Sequence, residues 1–283
     1  MTEPEVRALT SNIGAEFSNL DLRELPPRTR AQLYEALLRH RVLFFRGQGT
    51  MTLEQHEQFA RVFGTPMAPP TIAVVAGSRY VLELDSRRGG RADAWHTDGA
   101  YTAQPDKVTV LRSIIVPPHC GDTLWANTVA AYASMPVPLQ RLADSLWVQH
   151  SNDFDHTERP PAGDSQLAAL RTRILRTEHP AVRVHPDTGE RSLLLGNSMQ
   201  RFVGFSRTQT GILYELLQGY ITRPDNVVRW QWQPGDVAVW DNRSTQHLAI
   251  NDYSDALRIM QRVSIRGDAA ESIDGQTSRS LDY

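Results

Sequence analysis

The stretch VRWQWQPGDVAVWDNRSTQH, residues 228–247, holds two short apolar runs separated by Pro-Gly-Asp and followed by a polar turn that ends at His247. Short runs of valine and aromatic residues between turn-forming residues are typical of β-strands. The Pro-Gly-Asp sequence (Pro234–Asp236) predicts a turn, and we expect it to join the two runs as a hairpin. A fold assembled from many such strands is therefore the first hypothesis.

Most of the remaining chain has the same character. The pattern predicts only three helices, over residues 26–40, over residues 53–64 behind a capping box of Thr52 and Gln55, and from Ser206 onward. Further strand-like runs are VLFFRG (42–47), RYVLEL (79–84), KVTVLRSIIV (107–116), AVRVH (181–185), RSLLLG (191–196) and RIMQRVSIRG (258–267).

Helices at the start, many strands and one late helix together predict the fold class. We expect a mainly β protein with flanking helices, in the form of a double-stranded β-helix, or jelly roll. No repeat or low-complexity linker divides the sequence, so residues 1–283 are expected to form a single domain. Stretches near residues 66–77 and 152–175 are expected to be lid-like loops, because long loops on a rigid β-scaffold commonly bind or cover ligands.

The composition excludes several classes of protein. The 30 Lys and Arg residues and 32 Asp and Glu residues give a net charge of −2, which leaves no basic excess for binding nucleic acid. The first residues lack the pattern of a signal peptide, and no run approaches the roughly 20 apolar residues that span a membrane. Cys120 is the single cysteine and is expected to be structural. We expect a cytoplasmic protein that acts on a small molecule.

A possible metal site begins in AWHTDGAY, residues 94–101. His96 and Asp98 are two residues apart, so on a strand their side chains project to the same side. His247 would complete a set of two histidines and one carboxylate, which leaves three coordination positions open and is the usual platform for non-haem ferrous oxygenases. By itself this triplet also fits a surface His–Asp pair and an unrelated histidine.

An arginine and a threonine strengthen the interpretation as an oxygenase site. Arg258 follows His247 by eleven residues. If the two stood on adjacent antiparallel strands, their positions could lie side by side. A ferrous oxygenase that uses 2-oxoglutarate needs a cation for the distal carboxylate of that cosubstrate, and an arginine holds a carboxylate through two parallel hydrogen bonds. Thr123, in GDTLWAN, is the candidate for a hydroxyl beside it.

Taken together, WHTD, GDTLWANTVAAY, the 228–247 stretch and RIMQR resemble the taurine dioxygenase family of ferrous, 2-oxoglutarate-dependent dioxygenases. Within this family the chain is most similar to the alkylsulfatase branch, which has close counterparts of RYVLELD, VLRSIIVP, LWVQHSNDFD and DGQTSRS. The resemblance extends from about Ile13 to Ser280.

The resemblance implies a role for each candidate residue. It implies that His96, Asp98 and His247 bind Fe(II), and that 2-oxoglutarate and O2 are the cosubstrates. It implies that the Thr123 and Arg258 side chains hold 2-oxoglutarate. It also implies a dimer or tetramer. Halogenating relatives lack the carboxylate ligand, so the aspartate argues against halogenation.

The resemblance also assigns a substrate pocket. Arg262 would pair with an anionic group of the substrate, and it shares strand parity with the 2-oxoglutarate arginine four residues earlier. Pro69 stands where relatives that bind sulfur oxyanions have a histidine, and Ile72 replaces an aromatic residue that packs on taurine, so taurine is disfavoured. Gly99 replaces a branched residue, which we interpret as an enlarged pocket, and Phe154 is placed in the same pocket.

The predicted activity is the oxidation of a C–H bond, by hydroxylation that C–O cleavage can follow, in a small anionic substrate such as an alkyl sulfate ester. An alternative is a tailoring oxygenase, a hydroxylase or desaturase, that acts on a bulkier secondary metabolite. A metal-dependent hydrolase would use the same three ligands, for example with zinc, but would have no need for 2-oxoglutarate. A non-catalytic β-sandwich would not need the ligand set.

The other histidines are expected to have structural or solvent-facing roles, except two that flank the second loop and could approach a substrate. The first group is His40, His56, His119, His179 and His185, and the second is His150 and His156.

Overall fold

The computed structural model describes residues 4–68, 74–88, 92–153 and 174–282, in which strands predominate. The strands are β1 (Glu5–Ala8), β2 (Ala15–Ser18), β3 (Val42–Phe45), β4 (Pro66–Met67), β5 (Leu82–Asp85), β6 (Val108–Ile115), β7 (Thr123–Asn127), β8 (Trp147–Ser151), β9 (Arg176–Pro180), β10 (Val182–Val184), β11 (Arg191–Leu193), β12 (Met199–Phe202), β13 (Val227–Trp230), β14 (Val237–Asp241), β15 (Thr245–Ala249), β16 (Ile259–Ile265) and β17 (Arg279–Ser280). The α-helices are α1 (Pro27–His40), α2 (Leu53–Ala60), α3 (Thr128–Ser134), α4 (Val137–Asp144) and α5 (Arg207–Ile221).

Two sheets form the jelly roll that the sequence predicts. The larger has the order β1-β2-β3-β14-β6-β16-β4, with β5 also paired to β16, and the smaller has the order β13-β7-β15. Aromatic side chains join them: Phe44 of the larger sheet stacks on Trp230 and meets the edge of Trp125, both in the smaller sheet. Two further sheets, β12-β8-β9-β17 and β10-β11, complete the strands.

Strand alternation separates a helix-facing core from the space between the two sheets. Val110 of β6 and Val239 of β14 pack in a cluster with residues of α1 and α2. Their neighbours Leu111 and Trp240 point the other way and join the cluster between the sheets. Successive side chains of a strand alternate between its faces. One set of alternate positions therefore faces the helices, and the other set faces the space between the two sheets.

The predicted hairpin around Pro234–Asp236 is wrong. The turn exists, but β13 pairs with β7 in the smaller sheet, whereas β14 pairs with β3 and β6 in the larger sheet. The Asp236 carboxylate fixes this crossing, because it accepts hydrogen bonds from the Gln233 backbone at 2.8 Å and the Trp230 indole at 3.1 Å. Burial of tryptophans between the sheets outweighs local pairing of the two runs.

The three predicted helices are present, and the structure adds two. Thr52 with Gln55 and Ser206 with Gln209 form reciprocal capping boxes at the starts of α2 and α5. The additional helix α3 begins at Asn127, whose side chain accepts from two backbone N–H groups of the first turn. Helix α4 follows it after two residues. Among the helices that the structure describes, none has the length and apolar content to cross a membrane.

Candidate active site

The three predicted metal ligands come together between the sheets. His96, Asp98 and His247 each offer a ligand atom within 4.8 Å of the others. His96 Nε2 lies 3.9 Å from Asp98 Oδ1, and His247 Nε2 lies 3.8 Å from Asp98 Oδ2. Two imidazoles and one carboxylate that converge in this way are a donor set suited to a divalent transition metal.

Backbone pairing fixes the two histidines. His96 and His247 exchange backbone hydrogen bonds of 3.0 and 2.8 Å, and their ring centroids are 4.0 Å apart. His96 Nδ1 lies 2.8 Å from the Ala94 carbonyl, which can only accept, so Nδ1 donates to it and Nε2 is the ring nitrogen that faces the cluster. The Trp240 ring packs against His247 at 4.6 Å between ring centroids. Both Nε2 atoms are thereby directed at the carboxylate.

The electrostatics of the cluster favour the metal-binding protonation states. Burial opposes ionisation of Asp98, but the charge of Arg262 and a hydrogen bond from Thr109 act against burial, and the pKa of Asp98 is lowered overall. Burial also lowers the pKa of His247 well below 6.5. A carboxylate and a neutral imidazole are the forms that bind a metal.

Thr123 and Arg258 lie in the same cavity and are arranged to hold a carboxylate. Thr123 Oγ1 accepts from the Trp232 indole at 2.9 Å, so its own hydrogen is available to a ligand. Arg258 Nε donates to the Gly121 carbonyl at 3.2 Å, which leaves the two terminal nitrogens of the guanidinium for a ligand. Burial lowers the pKa of Arg258. A buried cation without a carboxylate partner is favourable only if an anion joins it.

Gly121 makes room for this arginine. Its φ is +70°, and an added Cβ would lie 3.1 Å from Arg258 Cδ and 3.3 Å from the Tyr253 ring. A side chain at this position would therefore meet both a backbone penalty and a steric conflict.

Arg262 faces the metal cluster from β16. Its NH1 donates to Asp98 Oδ1 at 2.8 Å. Burial lowers the pKa of Arg262, but the nearby Asp98 and Asp106 carboxylates raise it above the usual value overall. The irregularity beside Ile259 is an extra residue in β6, because β16 keeps regular pairing with β5. The shared parity of Arg258 and Arg262 therefore holds, and both line the cavity.

One cavity of about 110 Å³ connects the metal cluster, the threonine and the two arginines. Apolar and aromatic side chains form much of the wall, and these exclude water from the reacting groups. The remaining lining residues that the structure describes are Leu84, Asp85, Ser86, Ala92, Leu111, Trp240, Ala249 and Tyr253.

The structure shows a local constraint at Gly99, and its predicted enlargement of the pocket stays a prediction. Its φ is +67°, and an added Cβ would lie 2.6 Å from Asp106 Oδ1, so the glycine permits a tight turn against Asp106. The predicted substrate-pocket residues Pro69, Ile72 and Phe154 lie outside the described residues. The two predicted lid-like loops fall partly outside them as well.

Three of the remaining histidines, His150, His179 and His185, have hydrogen-bond partners among the described residues. His185 Nε2 contacts the Asp241 carboxylate at 3.0 Å, and His179 bonds to Ser278 and to a backbone carbonyl. His150 is fully buried against His179 and is not among the cavity-lining residues described, so it does not approach the cavity. His56 is also fully buried, His40 is half-buried and His119 is exposed, while His156 lies outside the described residues.

Two residues that contact the cluster were not predicted from the sequence. Thr109 Oγ1 donates to Asp98 Oδ2 at 2.7 Å, and Asn242 donates to Thr109 at 2.9 Å. The available signal was a threonine at an inward position of the apolar run KVTVLRSIIV, next to Leu111. That run does not indicate the strand register of β6, which places Thr109 beside Asp98.

A jelly roll that holds two histidines and a carboxylate beside a buried arginine and threonine defines a class, the 2-oxoglutarate-dependent dioxygenases. Comparisons with known proteins agree. Residues 5–264 match the family described as "Taurine catabolism dioxygenase TauD, TfdA family". The chain therefore belongs to the taurine dioxygenase (TauD/TfdA) family.

Individual relatives span nearly the whole chain. It is 44% identical to an alpha-ketoglutarate-dependent sulfate ester dioxygenase of Pseudomonas putida, over 98% of this chain and 94% of that protein. It is 43% identical to an alkylsulfatase of Acinetobacter baylyi, over 98% of this chain and 90% of that protein. A crystal structure of a taurine dioxygenase from Burkholderia xenovorans has a TM-score of 0.85 at 36% identity, covering 100% of this chain and 96% of that chain. Alpha-ketoglutarate is 2-oxoglutarate, so the predicted class of enzyme is confirmed.

Proposed function

We propose that this enzyme uses Fe(II), 2-oxoglutarate and O2 to hydroxylate an alkyl sulfate ester at the carbon that carries the ester oxygen. The observation that carries the proposal is one cavity lined by both histidines of the metal cluster, by Thr123 and Arg258, and by a second arginine, Arg262. The names of the two relatives with 44% and 43% identity support a sulfate ester over a bulkier secondary metabolite.

Fe(II) fits the donor set of His96, Asp98 and His247. Both imidazole Nε2 atoms face the carboxylate, and the set leaves three coordination positions for other ligands. When bound, the iron would activate O2 while 2-oxoglutarate supplies two electrons and leaves as succinate and CO2. The same donors would accept zinc, but a hydrolase gives no purpose to the buried arginine and threonine.

Thr123 and Arg258 would hold the distal carboxylate of 2-oxoglutarate. The threonine hydroxyl and the two terminal arginine nitrogens supply three donors to its oxygens, in a setting where burial strengthens each charge-assisted bond. These contacts would orient the cosubstrate toward the metal cluster.

Arg262 would bind the sulfate group of the substrate. Its guanidinium is partly buried, charged and directed at the metal cluster, so a sulfate there would place the adjacent C–H bond near the metal. Hydroxylation of that carbon puts a hydroxyl and the sulfate oxygen on one carbon. The C–O bond to sulfate then breaks, the hydroxyl proton leaves, and the products are an aldehyde and sulfate.

The test compares substrates and arginine variants. We expect succinate formation to be stimulated by medium-chain alkyl sulfates more than by sulfonates or carboxylates, and to be absent in His96→Ala. Arg262→Gln should raise the KM for the sulfate ester about tenfold or more, from the loss of a charge-assisted hydrogen bond. Arg266→Gln, an exposed arginine just beyond β16, is the matched control.

Two outcomes would contradict the proposed substrate. One is turnover that depends on His96 but is indifferent to all sulfate esters, which would favour a larger metabolite. The other is an unchanged KM in Arg262→Gln. The cytoplasmic location, the homo-oligomeric state and the lid-like loops stay predictions.

A further inference from the structure

Three buried residues behind Asp98 form a hydrogen-bonded relay that ends on its carboxylate. We propose that Thr109 is a positioning residue for the metal, which fixes the orientation of Asp98, and that Asn242 and Trp240 set the direction of its hydrogen bond. The inference rests on the proposed metal site and adds residues that do not themselves bind the ion.

The relay has short, continuous contacts. The Trp240 indole donates to Asn242 Oδ1 at 3.0 Å, Asn242 Nδ2 donates to Thr109 Oγ1 at 2.9 Å, and Thr109 Oγ1 donates to Asp98 Oδ2 at 2.7 Å. The Asp98 backbone N–H also points to Asn242 Oδ1 at 3.3 Å. Asn242 therefore holds both the main chain of the ligand residue and the threonine that holds its side chain.

The chemistry of the two ends fixes every hydrogen in the relay. An indole N–H is a donor only, so the asparagine atom beside Trp240 must be the oxygen. The asparagine amide then presents its NH2 to Thr109, which must accept it and send its own hydrogen onward. The ionised carboxylate of Asp98 at the far end is an acceptor only. No residue of the relay can reverse the direction of its hydrogen bonds without losing one of them.

The strand arrangement makes the relay rigid. Thr109 lies in β6 directly opposite Trp240 of β14 and Ser264 of β16, at the centre of the larger sheet. Its exposed fraction is 0%, and Trp240 and Asn242 are 1% and 2% exposed. A donor held this firmly can impose an orientation on a side chain that would otherwise rotate.

Asp98 needs such a constraint because a competing partner is present. Arg262 donates to its other oxygen, Oδ1, at 2.8 Å. An arginine readily takes both oxygens of a carboxylate through two parallel hydrogen bonds, which would turn Asp98 away from the histidines. Thr109 holds Oδ2 at 3.8 Å from His247 Nε2 and prevents that rotation.

The test is the affinity for Mn²⁺, measured from the free-ion electron paramagnetic resonance signal, without turnover. Thr109→Val keeps the shape and removes the donor, so we expect its dissociation constant to rise about 10- to 100-fold, as for other residues that orient metal ligands. Thr109→Ser restores the hydroxyl and should stay close to wild type.

Thr210→Val is the matched control. Thr210 is a buried threonine in α5 whose hydroxyl accepts from the Phe202 backbone, and it is not among the cavity-lining residues that the structure describes. It should lose thermal stability as Thr109→Val does but keep wild-type Mn²⁺ affinity. If Thr109→Val does not fold, Asn242→Ala carries the same expectation.

Equal Mn²⁺ affinity in wild type and Thr109→Val would overturn the positioning role, as would equal losses in Thr109→Val and Thr210→Val. Failure of the metal site itself looks different. In that case wild-type protein and His96→Ala would bind Mn²⁺ equally poorly.

Discussion

Arg258 and Arg262 lie four residues apart and line the same cavity, but they have different partners. Arg258 is held through Nε by a backbone carbonyl, and its terminal nitrogens remain for a ligand. Arg262 already contacts Asp98 at 2.8 Å. At the scale of single residues, one arginine has terminal nitrogens available for a carboxylate, whereas under the proposed function the other would divide its hydrogen bonds between Asp98 and the substrate.

Loss of the first arginine should weaken 2-oxoglutarate binding. A hydrogen bond to a charged group contributes about 1.5–3 kcal/mol, which corresponds to about 10- to 100-fold in affinity. Arg258→Gln should therefore raise the dissociation constant for 2-oxoglutarate by that factor, as measured by anaerobic titration. Arg229→Gln removes an arginine that is 56% exposed and paired with Asp122, and it is expected to behave as wild type. Unchanged affinity in Arg258→Gln would refute the assignment.

At the scale of elements, the sequence identifies strands better than it identifies their partners. The apolar runs all formed strands, because short apolar runs bounded by turn-forming residues are typical of strands. The turn at Pro234–Asp236 was also correct, but the pairing on either side of it depends on tryptophans that pack across two sheets. Helix α3 was missed because its seven residues follow β7 without a break and start from an asparagine cap within the run GDTLWAN.

A glycine between β11 and β12 supports the segment that carries His96. Gly196 has φ +117°, and an added Cβ would lie 3.0 Å from the Trp95 carbonyl and 3.1 Å from His96 Cα. Gly196→Ala should displace His96 and weaken Mn²⁺ binding about tenfold or more. Gly204→Ala controls for backbone strain, since Gly204 has φ +84° and no atom within 4 Å of an added Cβ.

Both glycine variants should lose about 1–2 kcal/mol of unfolding free energy from the left-handed backbone. Only the first should lose metal affinity. Equal Mn²⁺ dissociation constants in the two variants would show that the contact with His96 is unimportant.

At the scale of the whole molecule, the candidate site joins segments that are distant in the sequence. The sequence predicted individual site residues but not how the fold brings them together. The metal ligands, Thr123 and the two arginines were predicted because each stands in a recognisable motif. The cavity wall and the relay through Thr109 were not, because they depend on the register of β6 against β14 and β16. The contact of Gly99 with Asp106 was not predicted for the same reason, since the two residues come close only in the folded chain.

Fully buried histidines make the whole fold sensitive to acid. Burial, with the nearby charge of Arg112, lowers the pKa of His56 from 6.5 to about 3. Below pH 6.5 the His56 side chain therefore binds a proton in the unfolded chain but not in the folded chain. The free energy of unfolding falls as the pH falls toward 3. From pH 7 to pH 5 this group should remove about 2 kcal/mol of unfolding free energy.

Denaturant unfolding at pH 7 and pH 5 measures this contribution. His56→Leu should lose about 2 kcal/mol less than wild type between the two pH values. Phe59→Leu alters the same buried face of α2 without a titratable group, so its pH dependence should match wild type. An identical pH dependence in His56→Leu and wild type would contradict the assignment.

The most direct test of the central claim is the ratio of inorganic sulfate released to succinate formed from a medium-chain alkyl sulfate. The iron-loaded protein is given 2-oxoglutarate and air, with His96→Ala as the control. The proposed reaction predicts one sulfate for each succinate and neither product in the control. Sulfate release without 2-oxoglutarate would instead identify a hydrolase, and the absence of both products from iron-loaded wild-type protein would contradict the account.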